Sequence, residues 1–164
     1  MKSEIKKIIL EIESTIKGNP WFGKSVYELL EEVDSKKVSI KINDNSHSLI
    51  DLLYHMITWT DFTLKRIEKE KIKDMAAFEE LDWRKINPKI HTWKKGSAAF
   101  KGVNKKLISI LKKQDDAFLN EKVDYREYDF RYLLNGMIQH HIYHIGQIAY
   151  LTKLLNYSAT KNRV

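Results

Sequence analysis

Two histidines four residues apart near the end of the chain are the side chains best placed to do chemistry. Residues 136–147 are GMIQHHIYHIGQ, which contain His140 and His144. In an α-helix, residues four apart lie one above the other on the same side, so the two imidazoles can aim at one point. A helix can supply two nitrogen ligands to one metal ion in this way. The same spacing also fits two partly buried histidines that hydrogen-bond to neighbouring helices.

A third histidine, His55, lies at the edge of the apolar stripe of an earlier segment. A lone histidine in such a place is more often a core residue than a metal ligand. If the two helices are neighbours, however, His55 can reach the same point as the pair. Three imidazole ligands with an open coordination position are typical of a catalytic metal site rather than a structural one.

His141 competes with His140 as a ligand, because His141 and His144 form an i, i+3 pair. We favour His140, because an i, i+4 pair converges better.

The composition limits the ligands that a metal could have here. The chain has 164 residues and no cysteine, so thiolate metal sites and disulfides are excluded and any ligand must be nitrogen or oxygen. Hydrophobic residues make up 43% and charged residues 31%, as in a globular protein, and residues 1–164 fit a single domain.

The start of the chain has no apolar h-region of the kind found in signal peptides, and no apolar run approaches the ~20 residues of a membrane span. We therefore expect a cytoplasmic protein that does not enter a membrane.

The net charge of +7 and the pI near 9.4 raise the question of an anionic partner. A basic chain can bind nucleic acid, a membrane surface or an anionic small molecule. Its lysines are scattered in pairs among acidic and apolar neighbours, which favours a solvated exterior. No basic stripe with interleaved aromatic residues is evident, so we expect no nucleic-acid partner.

The elements that must position the histidines are predicted to be helices, because only 2 prolines and 6 glycines interrupt the chain. Apolar periodicity predicts long helices over about 4–17, 47–70, 89–113 and 129–156, a short helix over 26–33, and a helical turn around 76–81. Ser3, Ser25 and Asp129 are the candidate N-caps. Gly96 and Gly102 weaken the third long helix, so close packing is expected to require them. Four long helices joined by moderate loops favour an all-α, up-and-down four-helix bundle.

The residues around the histidines resemble a known family. The segment LYHMITW around His55, the pattern His140-x-x-x-His144-x-Gly-Gln and the early PWFG turn at 20–23 are similar to the DinB/YfiT-like superfamily of bacterial four-helix bundles. The resemblance extends over most of the chain. It implies a divalent metal held by His55, His140 and His144, with Gln147 packing beside or supporting a ligand. It also suggests a homodimer.

The resemblance implies chemistry as well. Relatives in this superfamily include S-transferases that use bacillithiol or mycothiol and a thiol-dependent maleylpyruvate isomerase. A metal with an open position can hold a thiol as its nucleophilic thiolate, and a chain without cysteine must borrow that thiol from a cofactor. We expect a zinc, nickel or iron enzyme that joins a low-molecular-weight thiol to a small electrophile. Metal-assisted hydrolysis and a non-enzymatic module that binds a metal or ligand under stress are the alternatives.

Several other side chains have two interpretations each. Trp21 and Trp59 either line the mouth of the metal pocket or are ordinary core residues. Tyr143 projects away from the histidine pair and fits a contact between helices or between subunits. His47 and His91 lie near predicted helix starts, where surface or capping roles are expected.

Overall fold

The computed structural model describes residues 3–70 and 75–161, and over these ranges it is helical with no β-strand. It contains α1 (Glu4–Lys17), α2 (Val26–Glu31), α3 (Leu49–Ile67), α4 (Ala76–Asp82), α5 (Trp93–Leu111), a 3-10 helix (Asp116–Asn120) and α6 (Phe130–Lys161). Helix α3 packs against α5 and α6, and α1 packs against α6. The predicted all-α four-helix bundle is confirmed. Residues 71–74 of the predicted connection and 162–164 of the predicted tail lie outside the described ranges.

The bundle is held together by apolar stripes on its helices. The predicted stripe of α1 is buried throughout and consists of Ile5, Ile8, Ile9, Ile12 and Ile16. A second cluster, which includes Leu53, Met56, Phe100 and Ile148, joins α3, α5 and α6. Burial of such side chains contributes about 1.5–3 kcal/mol each to stability. No helix in the described part of the chain is long and apolar enough to cross a membrane.

Helix α1 is capped by a residue from far along the chain. The predicted cap, Ser3, makes no side-chain cap bond, and its hydroxyl instead donates to Asp116 at 2.7 Å. The backbone N–H groups of Glu4 and Ile5 donate to the same carboxylate at 3.0 and 2.8 Å. A carboxylate at a helix N-terminus satisfies free donors and complements the helix dipole. The prediction of Ser3 as the N-cap residue is confirmed by its position, but the capping hydrogen bonds are accepted by Asp116 of the 3-10 helix rather than by the Ser3 side chain.

Helices α2 and α3 both begin with a capping box. Ser25 and Glu28 form the box of α2, as the candidate cap predicted. Ser48 and Asp51 form the box of α3, so this helix begins at Leu49, slightly later than expected. The reciprocal bonds between cap and third residue fix where each helix starts.

The start of α5 and the end of α6 also differ from expectation. Helix α5 begins at Trp93 because Thr92 caps it, and the predicted first turn is a loop. Asp129 accepts a backbone N–H at the start of α6, which confirms it as the cap. Helix α6 continues to Lys161, five residues beyond the predicted end.

The two glycines of α5 have different reasons to be there. A Cβ on Gly96 would lie 2.8 Å from Leu53 Cδ2 and 3.0 Å from Tyr54 Cε2, so close packing of α5 on α3 requires this glycine. A Cβ on Gly102 would meet nothing within 4 Å. The packing prediction is therefore confirmed for Gly96 and wrong for Gly102.

Candidate metal centre

Three histidines from two helices converge at one point between α3 and α6. His55 on α3 and His140 on α6 place their Nε2 atoms 2.9 Å apart. The ring centroids of His140 and His144 are 4.4 Å apart, as are those of His55 and His144. Each residue offers one ring nitrogen, and these nitrogens all lie within 4.8 Å of one another. The fold thus brings the three predicted ligands together.

Asp82, the last residue of α4, contacts Nδ1 of His55, the ring nitrogen that does not face His140. Its Oδ1 atom lies 2.5 Å from His55 Nδ1 and accepts a hydrogen bond from Trp59 Nε1 at 2.7 Å. A carboxylate only accepts, so this short contact favours the tautomer that carries the imidazole proton on Nδ1. This leaves Nε2 of His55 free to act as a ligand. A carboxylate behind a histidine is a common support for metal ligands.

Gln147 supports His144 in the same way. His144 Nδ1 donates to Gln147 Oε1 at 2.7 Å, and Gln147 Nε2 donates to the Tyr143 hydroxyl at 3.3 Å. The amide therefore sets the tautomer of His144 and leaves its Nε2 unprotonated. The supporting role that the resemblance implied for Gln147 agrees with this contact.

Burial keeps the three imidazoles neutral. Desolvation lowers the pKa of His55, with the Asp82 carboxylate opposing it. Desolvation also lowers the pKa of His144, opposed by the hydrogen bond to Gln147. Desolvation and the neighbouring histidines together lower the pKa of His140 to about 3. Near neutral pH the cluster therefore offers nitrogen lone pairs rather than positive charges.

The donor set suits a divalent transition metal. The Nε2 atoms of His55 and His140 lie 2.9 Å apart, so this contact requires either a proton on one of the two nitrogens or a cation bound by both. Zinc binds imidazole nitrogen at about 2.0–2.1 Å, so tetrahedral ligands lie roughly 3.3 Å apart. The candidate ligand nitrogens are close to this spacing, since those of His55 and His140 lie 2.9 Å apart and all three lie within 4.8 Å of one another. The three histidines are therefore compatible with one metal ion.

Trp83 covers one side of the histidine cluster. Its ring stacks on His55, with centroids 4.0 Å apart and planes 11° apart. His47 stacks on the other face of Trp83 at 3.6 Å. Trp83 remains 42% exposed, so the stack lies between the cluster and solvent. His47 is a surface residue as expected, but the ring stack gives it a place beside the site.

The segment that carries Asp82 and Trp83 is fastened to α3. Thr58 donates its hydroxyl to the carbonyls of Tyr54 and Leu81, both at 3.1 Å. Arg84 donates to the Leu81 carbonyl at 3.0 Å and to the Thr58 hydroxyl. These bonds hold the end of α4 beside His55, so the position of Asp82 depends on tertiary contacts.

His141 is not part of the cluster. It is 1% exposed and lies edge-on to Phe100 of α5, with ring centroids 5.1 Å apart. Neither of its ring nitrogens has a hydrogen-bond partner among the described residues. Burial lowers its pKa to about 3. The structure therefore brings His140 rather than His141 towards His55 and His144.

The remaining candidates lie in different environments. Trp21 is fully exposed, so its interpretation as a core residue was wrong. Trp59 is half-buried and lines a cavity beside His140. Tyr143 is 64% exposed, as its expected outward direction requires. His91 accepts the backbone N–H of Asn87 at 2.9 Å and so caps a turn.

Sequence reasoning missed Asp82, Trp83 and the stacking role of His47. Asp82 and Trp83 are 27 and 28 residues beyond His55, in a segment predicted to be a connection. An aspartate at the end of a short helix carries no periodic signal. Only the hydrogen bonds that fasten this segment to α3 bring the pair to the site.

The fold and the site define a class: a helical bundle with a histidine cluster compatible with metal binding. The family model described as DinB superfamily matches residues 23–148, which is most of the chain. The chain belongs to the DinB superfamily. No curated protein and no solved structure matches it.

Proposed function

We propose that the protein is a divalent-metal-dependent enzyme that transfers a low-molecular-weight thiol to a small electrophile. The observation that carries this proposal is the convergence of three neutral imidazoles, two of them supported by Asp82 and Gln147. His55, His140 and His144 would hold the metal, with zinc, nickel and iron all suited to nitrogen ligands. When bound, the metal supplies the Lewis acidity that keeps a thiol in its thiolate form.

The thiol must come from outside the chain, because the chain has no cysteine. In the transfer, the thiol gives its proton to the buffer and its sulfur forms a bond to the electrophilic carbon. The leaving group departs with the electron pair of the bond that breaks, which is chloride for a chlorinated electrophile. No oxidant or reductant is consumed.

A basic cavity next to the cluster supports an anionic cofactor. It has a volume of about 460 Å³, and its lining includes Lys41, Lys85, His47 and Trp83. The carboxylate of Asp51, which also lines it, accepts hydrogen bonds from Ser48. Lys41, Lys85 and Arg84, which also lines the cavity, outnumber the one carboxylate and leave an excess of positive charge beside the Trp83 stack. A thiol with carboxylate groups, such as bacillithiol, fits this charge.

The test uses zinc-loaded protein, bacillithiol and monochlorobimane, whose thiol adduct is fluorescent. We expect wild-type protein to raise the rate well above the uncatalysed reaction and His144→Ala to abolish the increase. His91→Ala is the matched control, because it removes a histidine that lies outside the cluster. It should retain the wild-type rate.

Each other outcome points to a different conclusion. A wild-type rate no higher than that of His144→Ala would end the transferase proposal. Ester hydrolysis without thiol, lost in His144→Ala, would replace it with metal-assisted hydrolysis. Zinc binding with no turnover on thiols or esters would indicate a non-enzymatic metal-binding module.

A further inference from the structure

A small apolar cavity lies between α3 and the start of α6 and ends at His140. Its volume is about 190 Å³. The side chains that line it include Trp59, Phe62, Tyr128, Tyr132, Met137 and His140. Because His140 belongs to the histidine cluster, a molecule in this cavity lies directly beside the metal centre.

The lining of the cavity selects an uncharged ligand. No residue among those that line it is acidic or basic apart from His140, whose Nε2 atom is directed to His55 Nε2 at 2.9 Å. The hydroxyl of Thr63 already donates to the Trp59 carbonyl at 2.9 Å. The guanidinium groups of Arg66 and Arg126 lie over the Phe62 ring, 5.0 and 5.7 Å from its centroid, but neither arginine lines the cavity. A charged group would therefore lose hydration here without an ion pair to a lining residue. The cavity therefore disfavours an anion, in contrast to the basic cavity near Trp83.

The aromatic walls favour a ring. Trp59 and Phe62 meet edge to face, with centroids 5.5 Å apart and planes at 73°. Tyr128 and Tyr132 lie 5.1 Å apart on the other wall. Rings arranged in this way offer both faces and edges to a further ring. An apolar cavity of roughly 150 Å³ can hold benzene, so the space fits a group of one or two rings.

We propose that this cavity binds the uncharged aromatic part of the electrophile and places its reactive carbon toward His140. That the bound group belongs to an electrophile depends on the proposed transferase function. That the cavity binds an uncharged aromatic group depends on the cavity alone. Thiol and electrophile would then approach the histidine cluster from different sides, the thiol past Trp83 and the electrophile past His140.

Gly136 leaves open space at the wall of the cavity. It lines the cavity from α6, and a Cβ at this position would meet no atom within 4 Å. A larger side chain here can therefore enter the open space without displacing the core. Gly102 on α5 also has open space around it but does not line the cavity. The pair Gly136→Leu and Gly102→Leu thus separates blocking of the cavity from the general effect of replacing a helical glycine.

The indole N–H resonance of Trp59 can report ligand binding in the cavity. Its ring forms one wall, and its indole N–H donates to Asp82 Oδ1 at 2.7 Å. A ring bound against Trp59 should shift the indole N–H resonance in a proton–nitrogen correlation spectrum. The spectrum of Trp59→Phe identifies that resonance among the 4 tryptophans of the chain.

The experiment titrates 2-naphthol and anionic 2-naphthoate into metal-free and zinc-loaded protein. We expect 2-naphthol to shift the Trp59 resonance in both forms and 2-naphthoate to bind about tenfold more weakly or less. Gly136→Leu should weaken 2-naphthol binding about tenfold or more, while Gly102→Leu leaves it unchanged. Both variants should bind zinc as the wild type does. Gly136→Leu should also raise KM for bicyclic monochlorobimane but not for iodoacetamide.

The outcomes separate this proposal from the transferase function. Absence of 2-naphthol binding, an unshifted Trp59 resonance, or equal binding by Gly136→Leu and wild type would overturn the cavity proposal even if thiol transfer occurs. Preferential binding of 2-naphthoate would overturn it as well. Binding of 2-naphthol that Gly136→Leu abolishes, with no thiol transfer by the wild type, would support the aromatic site and reject the transferase.

Discussion

Replacing Asp82 with asparagine tests whether the carboxylate behind His55 supports metal binding. The substitution keeps the size of the side chain and removes its negative charge. Oδ1 of Asp82 lies 2.5 Å from His55 Nδ1 and 2.7 Å from Trp59 Nε1, so both contacts lose their charge assistance. His55 then becomes a less basic and less firmly oriented ligand. Loss of such a supporting partner weakens metal affinity by about 10- to 100-fold, or about 1.4–2.8 kcal/mol.

The assay is a zinc titration against a chelating dye at fixed pH. Asp61→Asn is the matched control, because it removes the same charge from a half-buried residue of α3 that pairs with Lys65 and lies outside the histidine cluster. Urea denaturation of both metal-free variants separates lost affinity from lost folding. The variant with His55, His140 and His144 all replaced by alanine sets the baseline without the site. If Asp82→Asn binds zinc within about twofold of Asp61→Asn, the supporting role of the carboxylate is wrong.

Three further predictions concern stability and assembly. Gly102→Ala should raise the free energy of unfolding, measured in urea, by about 1 kcal/mol, because the surroundings of Gly102 are open. Gly96→Ala should lower this free energy by about 1–2 kcal/mol, because the added methyl group overpacks the contact with α3. Equal changes in the two variants would contradict the difference in packing. Burial lowers the pKa of His140 and His141 from 6.5 to about 3, so the unfolded chain binds more protons between these values. The urea midpoint of the metal-free protein should therefore be constant above about pH 6.5 and fall as the pH drops toward 3, and a midpoint that stays constant would refute the burial argument. If the homodimer that the family resemblance suggests uses the exposed face of α6, Tyr150→Glu should shift sedimentation toward the monomer, and a monomeric wild type would contradict the dimer.

The helices that carry the ligands were predictable from local patterns. The stripe of α1 follows the period of a helix, and the spacing of His140 and His144 places both on one side of α6. The approach of His55 to this pair depends on the tertiary packing of α3 against α6. The sequence indicated it through the family resemblance rather than through periodicity. The choice of His140 over His141 followed from helix geometry and agrees with the observed cluster.

The parts that could not be predicted depend on contacts between distant segments. Asp82 reaches His55 because Thr58 and Arg84 fasten the end of α4 to α3. No local rule links these residues, since each bond spans more than twenty positions. The start of α5 was placed too early because the cap at Thr92 competes with a longer apolar pattern. The role of Gly102 was misjudged because a glycine within a helix does not reveal which direction its missing side chain would face.

The carboxylate of Asp116 at the start of α1 has a consequence for the order of events during synthesis. Translation produces α1 before its capping residue, Asp116, which lies 112 positions beyond Glu4. The ribosome adds about 5–20 residues each second, so several seconds separate the synthesis of α1 from the synthesis of Asp116. During that interval its isoleucine face has no α6 to pack against, because the last helix is made after the cap. A nascent chain stalled before residue 116 should therefore bind chaperones through α1, whereas the released chain should not.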